Sequence, residues 1–211
     1  MIHLSLIDEE KNKKLLPLTK KGIETRRKLL ESAEMIFGTK GYFNASIVDI
    51  TQTAKVAQGT FYNYFSSKKE IFEELVKQLS RDFRYEIQTE VSKTTNGKEA
   101  QITGFRTFFR WLKNHRNLYS IVQQAVLVDE ELYREYYERL ASGYIKGLEV
   151  AMTDEEFKRL DHETVAYSLM GISQFIGMRW IYWKNQDVPE KVFEDMITLI
   201  FEGINNKDEV K

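Results

Sequence analysis

The stretch from Tyr42 to Phe65, YFNASIVDITQTAKVAQGTFYNYF, leaves its part of the chain few ways to fold. Ile47, Ile50, Thr51 and Ala54 recur at intervals of three and four residues, the apolar stripe of a short helix. Ser46 followed by Asp49 is a capping-box pattern that fixes where this helix starts. Ala54-Lys55-Val56 reads as a turn, with Val56 as its buried plug. Gln58 to Phe65 reads as a second helix, held down by Phe61 and Phe65 one turn apart. Left on its outside are Gln58, Gly59, Thr60, Tyr62, Asn63 and Tyr64, which are small, polar or hydroxyl-bearing and include no acid.

Such a face suits a DNA major groove. Gln and Asn can pair with base edges, and Thr or Tyr hydroxyls and helix-terminal N–H groups can hold phosphates. Ser46 and Lys68 complete the candidate DNA-contacting set. Lys68 and Lys69 add charge beside a helix N-terminus that Ser67 and Glu70 cap as another box. A small three-helix core with an ordinary polar surface is the alternative reading.

At these residues the sequence resembles the TetR family of bacterial transcription regulators. Val56-Ala57-Gln58-Gly59-Thr60-Phe61-Tyr62-Asn63-Tyr64-Phe65 and Ser67-Lys68-Lys69-Glu70-Ile71-Phe72 are similar to its recognition-helix and fourth-helix signature. Ala33, Phe37, Gly41 and Tyr42 match its first helix, and the likeness runs from Gly22 to Asp82. Three positions depart from it. Lys55 stands where Gly is usual, and a left-handed backbone there costs about 1 kcal/mol. Ala57 replaces the common Ser, removing a cap worth about 1 kcal/mol. Val48 stands where Arg is frequent, so one DNA contact is missing.

The chain is therefore expected to be all-α, a three-helix head on a larger helical effector-binding and dimerisation domain, with about nine to ten helices in all. Residues 1–21 are expected to form a flexible basic arm, 22–82 the head with its helix-turn-helix at 45–64, and 83–211 the body. The arm is either a frayed tail or a strand reaching into the minor groove. Only Pro17 and Pro189 occur, near expected helix boundaries, which favours long uninterrupted helices. The net charge of −1 argues neither way on nucleic acid, but its distribution helps. Through Phe65 there are ten Lys/Arg against seven Asp/Glu, leaving 21 against 25 beyond, a basic head on an acidic body. No cysteine is present, which excludes disulfides and thiolate zinc sites. No apolar run has membrane-span length and no signal-peptide pattern opens the chain, so the expected location is cytoplasmic, away from membrane.

The fourth helix should run from Ser67 to about Val91, ahead of the loop Ser92 to Gly97 that marks the domain boundary. Further helices are expected on either side of a break at His115-Arg116-Asn117, then after caps at Asp129, Thr153 (boxed with Glu156) and Asp161. Asp161 should start a helix running from His162 to Lys184, and Pro189 the last, from Glu190 to about Asn205.

These last two helices carry wide apolar faces. Ile172, Ile176, Arg179, Trp180 and Trp183, with Phe193, Ile197, Ile200 and Phe201, form the candidate dimer surface; an ordinary interior is the alternative. The resemblance implies a four-helix homodimer interface and a palindromic double-stranded DNA operator. Large aromatics mixed with Gly and polar groups mark a candidate effector cavity: Phe105, Phe109, Trp111, Tyr119, Gln123, Tyr137, Tyr167, Gly171, Gln174, Phe175 and Met178. Its lining suits a small hydrophobic or acyl-bearing molecule, with ordinary core packing as the alternative. His3, His115 and His162 are too far apart for a local metal motif, and no GxSxG, Walker loop or GxGxxG occurs, so neither an enzyme nor a cofactor is expected. An all-α enzyme and a protein-binding adaptor remain the rivals to a ligand-responsive repressor.

Overall fold

The computed structural model describes residues 19–204, so the expectations for residues 1–18 of the basic arm and for Asn205 onward lie outside the described residues. The described chain is helical throughout and contains no strand, as the sequence led us to expect. The elements are α1 (Lys20–Lys40), α2 (Ile47–Thr53), α3 (Gln58–Phe61), α4 (Lys68–Val91), α5 (Gly97–Asn114), α6 (Arg116–Val128) and α7 (Glu130–Thr153), then α8 (His162–Gly177), a π-helix (Met178–Trp183) and α9 (Glu190–Glu202).

Helix starts follow from local chemistry. Ser46 and Asp49 form the full reciprocal capping box of α2. The side chains of Ser67, Asn96, Asp129 and Asp161 each accept a backbone N–H at the start of α4, α5, α7 and α8. At α4 the second half of the expected box goes elsewhere, because the Glu70 carboxylate accepts from the N–H and hydroxyl of Ser66. The Thr153–Glu156 box does not form. Thr153 ends α7 and donates to the Glu149 carbonyl at 2.7 Å, while Glu156 accepts the distant Gly97 N–H. Gly41, at φ 77°, closes α1 by donating to the Phe37 carbonyl. A side chain would be strained in that backbone.

Two elements differ from expectation in extent. α3 is only four residues long, and Tyr62 to Tyr64 continue as a turn whose N–H groups of Asn63 and Tyr64 reach back three residues. The helix begun at Asp161 changes winding at Met178, where six residues adopt π geometry around the buried Ile181. No Pro or Gly pair announces that change.

The packing does not divide neatly at the expected loop. One core joins Leu29, Phe37, Ile50, Phe61, Phe65, Phe72, Val76 and Phe83 of the head side to Trp111, Ile121, Val122, Ala125 and Leu132. A second gathers Phe105, Phe109, Leu148, Met152, Leu169, Phe193 and Met196 deeper in the body. Val56 is half-buried at the edge of the first core and does not plug it.

The Lys40 ammonium holds the Asp49 carboxyl down at about 2, with the Ser46 hydroxyl and N–H adding to the effect. A carboxyl lowered on folding contributes stability above its unfolded range near pH 4, and loses it as the pH falls toward the folded value. Melts taken from about pH 5 to about pH 2 should show Asp49→Asn less stable than the native chain at the upper end, with the gap closing at the lower.

Candidate DNA-reading face and effector cavity

The reading face stands on two buried rings. Phe61 and Phe65 lie 5.7 Å apart and are at most 2% exposed, anchoring α3 and its following turn to the head core. Gln58, Gly59, Tyr62 and Asn63 then point to solvent, with Thr60 and Tyr64 half-buried beside them. No acid interrupts the set. Lys55 adopts φ 56° in the preceding turn, the left-handed backbone anticipated there, and Ala57 caps α3 with no side-chain hydrogen bond. Val48 is exposed on α2.

Two members of the candidate set hold the head together. Ser46 spends its hydroxyl in the α2 cap. Lys68 does not join the exposed face: its ammonium donates to the Tyr42 and Ala45 carbonyls, both at 2.8 Å, and sits 4.4 Å from the Tyr42 ring centre. Sequence could not reveal this, since the partners are backbone atoms of the α1–α2 connection. Arg26 is likewise engaged, pairing with Glu74 at 3.2 Å and lying over Phe65.

A polar joint, missed in the sequence, ties head to body. Gln124 of α6 accepts the Tyr42 N–H and donates to the Phe37 carbonyl at 3.3 Å, while also bonding Ser120. Beside it Lys69 of α4 pairs with Asp129, the cap of α7, at 2.8 Å. Gln124 was visible only as a polar residue among aromatics.

The middle helices enclose a cavity of about 20 Å³ lined by Phe83, Phe108, Trp111, Leu112, Tyr119, Val122, Tyr136, Tyr137 and Gln174. It gathers Trp111, Tyr119, Tyr137 and Gln174 of the candidate set and adds Phe83, Phe108 and Tyr136. That volume holds about one water. Burial raises the Tyr119 and Tyr137 phenols above their ordinary range, so both stay protonated donors. Phe105 and Phe109 lie in the second core. Gln123, Gly171 and Met178 are half-buried outside the cavity wall. Tyr167 and Phe175 belong elsewhere, because at 42% and 66% exposed they face outward from α8.

Those two rings extend the candidate pairing surface. Arg179 and Trp183 continue the exposed side of that helical run, and Leu199 of α9 is exposed as well. Ile172, Ile176, Ile197 and Ile200 are half-buried along the edge of the second core. Trp180 and Phe201 are half-buried too, with Lys184 over the indole at 3.8 Å and Lys98 over the phenyl at 5.2 Å. Phe193 turns inward onto Phe109, 4% exposed, and is not part of the outer face.

A helix-turn-helix head with a surface-facing second segment, set on a helical body, is an arrangement that can present that segment to DNA. Residues 29–75 match the model of bacterial regulatory proteins of the tetR family. The chain is 27% identical over 193 residues to the HTH-type transcriptional regulator YdgC of Bacillus subtilis (strain 168), covering 87% of this chain and 94% of that protein. It is 23% identical over 185 residues to the fatty acid metabolism regulator protein of the same organism, covering 85% and 95%. The solved structure of the transcriptional regulator FadR from Bacillus subtilis in complex with stearoyl-CoA superposes with a TM-score of 0.77 at 20% identity, covering 85% of this chain and 99% of that one. At that identity the likeness speaks for the fold. The tetR-family model thus covers the head, and a relative that spans most of the chain is an HTH-type transcriptional regulator. Among the described residues no cluster of His, Cys, Asp and Glu could hold a metal, and no helix is long and apolar enough to cross a membrane.

Replacing Gln124 by Ala strips the Tyr42 N–H of its partner at the joint. Urea unfolding should register a loss of about 1–3 kcal/mol, and an unchanged midpoint would show that the joint carries no stability.

Proposed function

We propose that this protein is a cytoplasmic, homodimeric repressor that binds a palindromic double-stranded DNA operator and is released from it by a small hydrophobic or acyl-bearing effector. In this reading residues 22–82 read DNA, while 83–211 hold the effector and pair the subunits. One observation carries the DNA part: the acid-free exposed face of Gln58, Gly59, Tyr62 and Asn63, clamped from behind by Phe61 and Phe65. Gln58 and Asn63 supply base-edge hydrogen bonds, and Thr60, Tyr62 and Tyr64 supply hydroxyls for phosphates.

The outer stripe of Phe175, Arg179 and Trp183 on α8 and the π-helix, with Leu199 of α9, supports pairing with a second copy. Large exposed rings are costly to leave in water. A two-fold pair sets its reading segments about 34 Å apart, one DNA turn.

Release follows from the size of the aromatic cavity. About 20 Å³ is far below the roughly 300 Å³ that small-molecule sites begin at. An effector entering there must push α4, α5, α6, α7 and α8 apart. α4 also carries the head, so opening the cavity re-aims the reading segments. An effector acts only by its differential affinity for the two arrangements, and operator and effector weaken each other equally. The acyl part of the reading draws support from relatives whose names concern fatty acid metabolism and stearoyl-CoA.

Selection of bound sequences from a random duplex pool tests the reading of bases. Gln58→Ala and Asn63→Ala should each shift the recovered sequence at one position, costing about 1–3 kcal/mol at the affected base pair; an unchanged sequence with both would reject base reading by this segment.

Pairing is tested separately, because Phe175→Glu with Trp183→Glu alters exposed side chains only. Sedimentation should show the doubly changed chain as a monomer with its helix content intact, and a persistent dimer would place the interface elsewhere.

A further inference from the structure

A second, larger cleft of about 130 Å³ opens between α4 and α7, on the far side of Tyr136 from the aromatic cavity. Its walls are two helical stripes. Lys77, Ser80, Arg81 and Arg84 come from α4, and Glu135, Tyr136 and Arg139 face them from α7. Four cations thus line it against one acid, and that acid, Glu135, already lies 3.3 Å from Arg139. Arg81 reaches out of the cleft to Glu74 at 3.4 Å.

Arg84 is the anomaly. It is half-buried, and its only hydrogen bond among those described runs from Nε to the Ser80 carbonyl at 3.1 Å. Burial first, then the like charges of Arg139 and Arg81, pull its guanidinium below its ordinary value. A half-buried guanidinium held against two others is a cost that the fold bears without a partner for it. Guanidinium forks match the paired oxygens of phosphate, and clustered ones suit more charge than a single carboxylate carries. Burial keeps the neighbouring Tyr136 phenol protonated, so it too offers a donor.

We propose that the cleft between α4 and α7 is a phosphate-binding site, seating the phosphorylated head group of an effector whose apolar tail passes Tyr136 into the aromatic cavity. Its tail rests on the effector reading above, whereas the phosphate site stands on the cleft alone. A phosphate here bridges α4, which carries the head, to α7, which walls the cavity, so one ligand touches both sides of the lever.

The test is calorimetric titration of the full chain with four probes: sodium pyrophosphate, coenzyme A, stearoyl-CoA and sodium stearate. Coenzyme A and stearoyl-CoA should bind the native chain. Arg84→Gln on α4 and Arg139→Gln on α7 should each weaken both by about tenfold or more, with Arg84→Lys recovering part of the loss. Neither Gln change should alter stearate affinity, and Arg110→Gln, a surface arginine outside the cleft, should change nothing. Pyrophosphate binding as tightly as coenzyme A, and lost in the same variants, supports a site for free phosphate; tighter binding of coenzyme A supports a head-group site. Native affinity for coenzyme A and stearoyl-CoA in both Gln variants overturns the proposal, as does failure of all three phosphate probes to bind. Stearate failing to bind while the phosphate probes succeed leaves the cleft standing and removes the acyl reading instead.

Discussion

The joint between α1 and α6 turns on one side-chain amide. Gln124 offers its oxygen to the Tyr42 N–H and its nitrogen to the Phe37 carbonyl, so the last turn of α1 and the chain leaving it are held by a single group. An amide suits this place because it donates and accepts at once. Around it the apolar core runs unbroken from Phe37 and Phe72 into Ile121, Val122 and Ala125. Head and body therefore share an interior, and no change in α6 leaves the head indifferent. Two residues before Ile121, α6 also presents Tyr119 to the aromatic cavity. One helix thus touches both the aromatic cavity and the place where the head is fastened.

Ion pairs add direction to that joint. Lys69, on the first turn of α4, meets Asp129, which is also the cap of α7, so the start of one long helix is tied to the start of another. Half-exposed pairs of this kind contribute little stability on their own. Their geometric effect is larger, since they fix where α4 leaves the head relative to α7. The clustered cations of the cleft lie further along the same two helices. Tied at one end, α4 and α7 carry like charge along the cleft between them.

Features decided by neighbours in sequence were legible in it. Ser46 with Asp49 and the caps at Asp129 and Asp161 all depend on residues within a turn. So did the acid-free face after Ala57 and the left-handed Lys55. Features decided by distant partners were not. Glu156 matched a local box with Thr153 but found the Gly97 N–H, 59 residues away. Lys68 read as a free cation beside a helix start, yet its acceptors are carbonyls more than 20 residues back. On α8 the spacing of aromatics defined stripes without saying which one met the interior: Gln174 turns into the cavity wall, whereas the next residue, Phe175, turns out to solvent. The π-winding after Gly177, with Ile181 buried within it, left no mark in composition or periodicity.

Gly38 lies where α1 crosses α6 at very short range. A methyl group in its place would come within 2.5 Å of the Asn117 Cβ. Contact that close is forbidden, so the missing carbon serves as the clearance in a bearing. Fill it, and either Asn117 or the two helices must give way at that crossing.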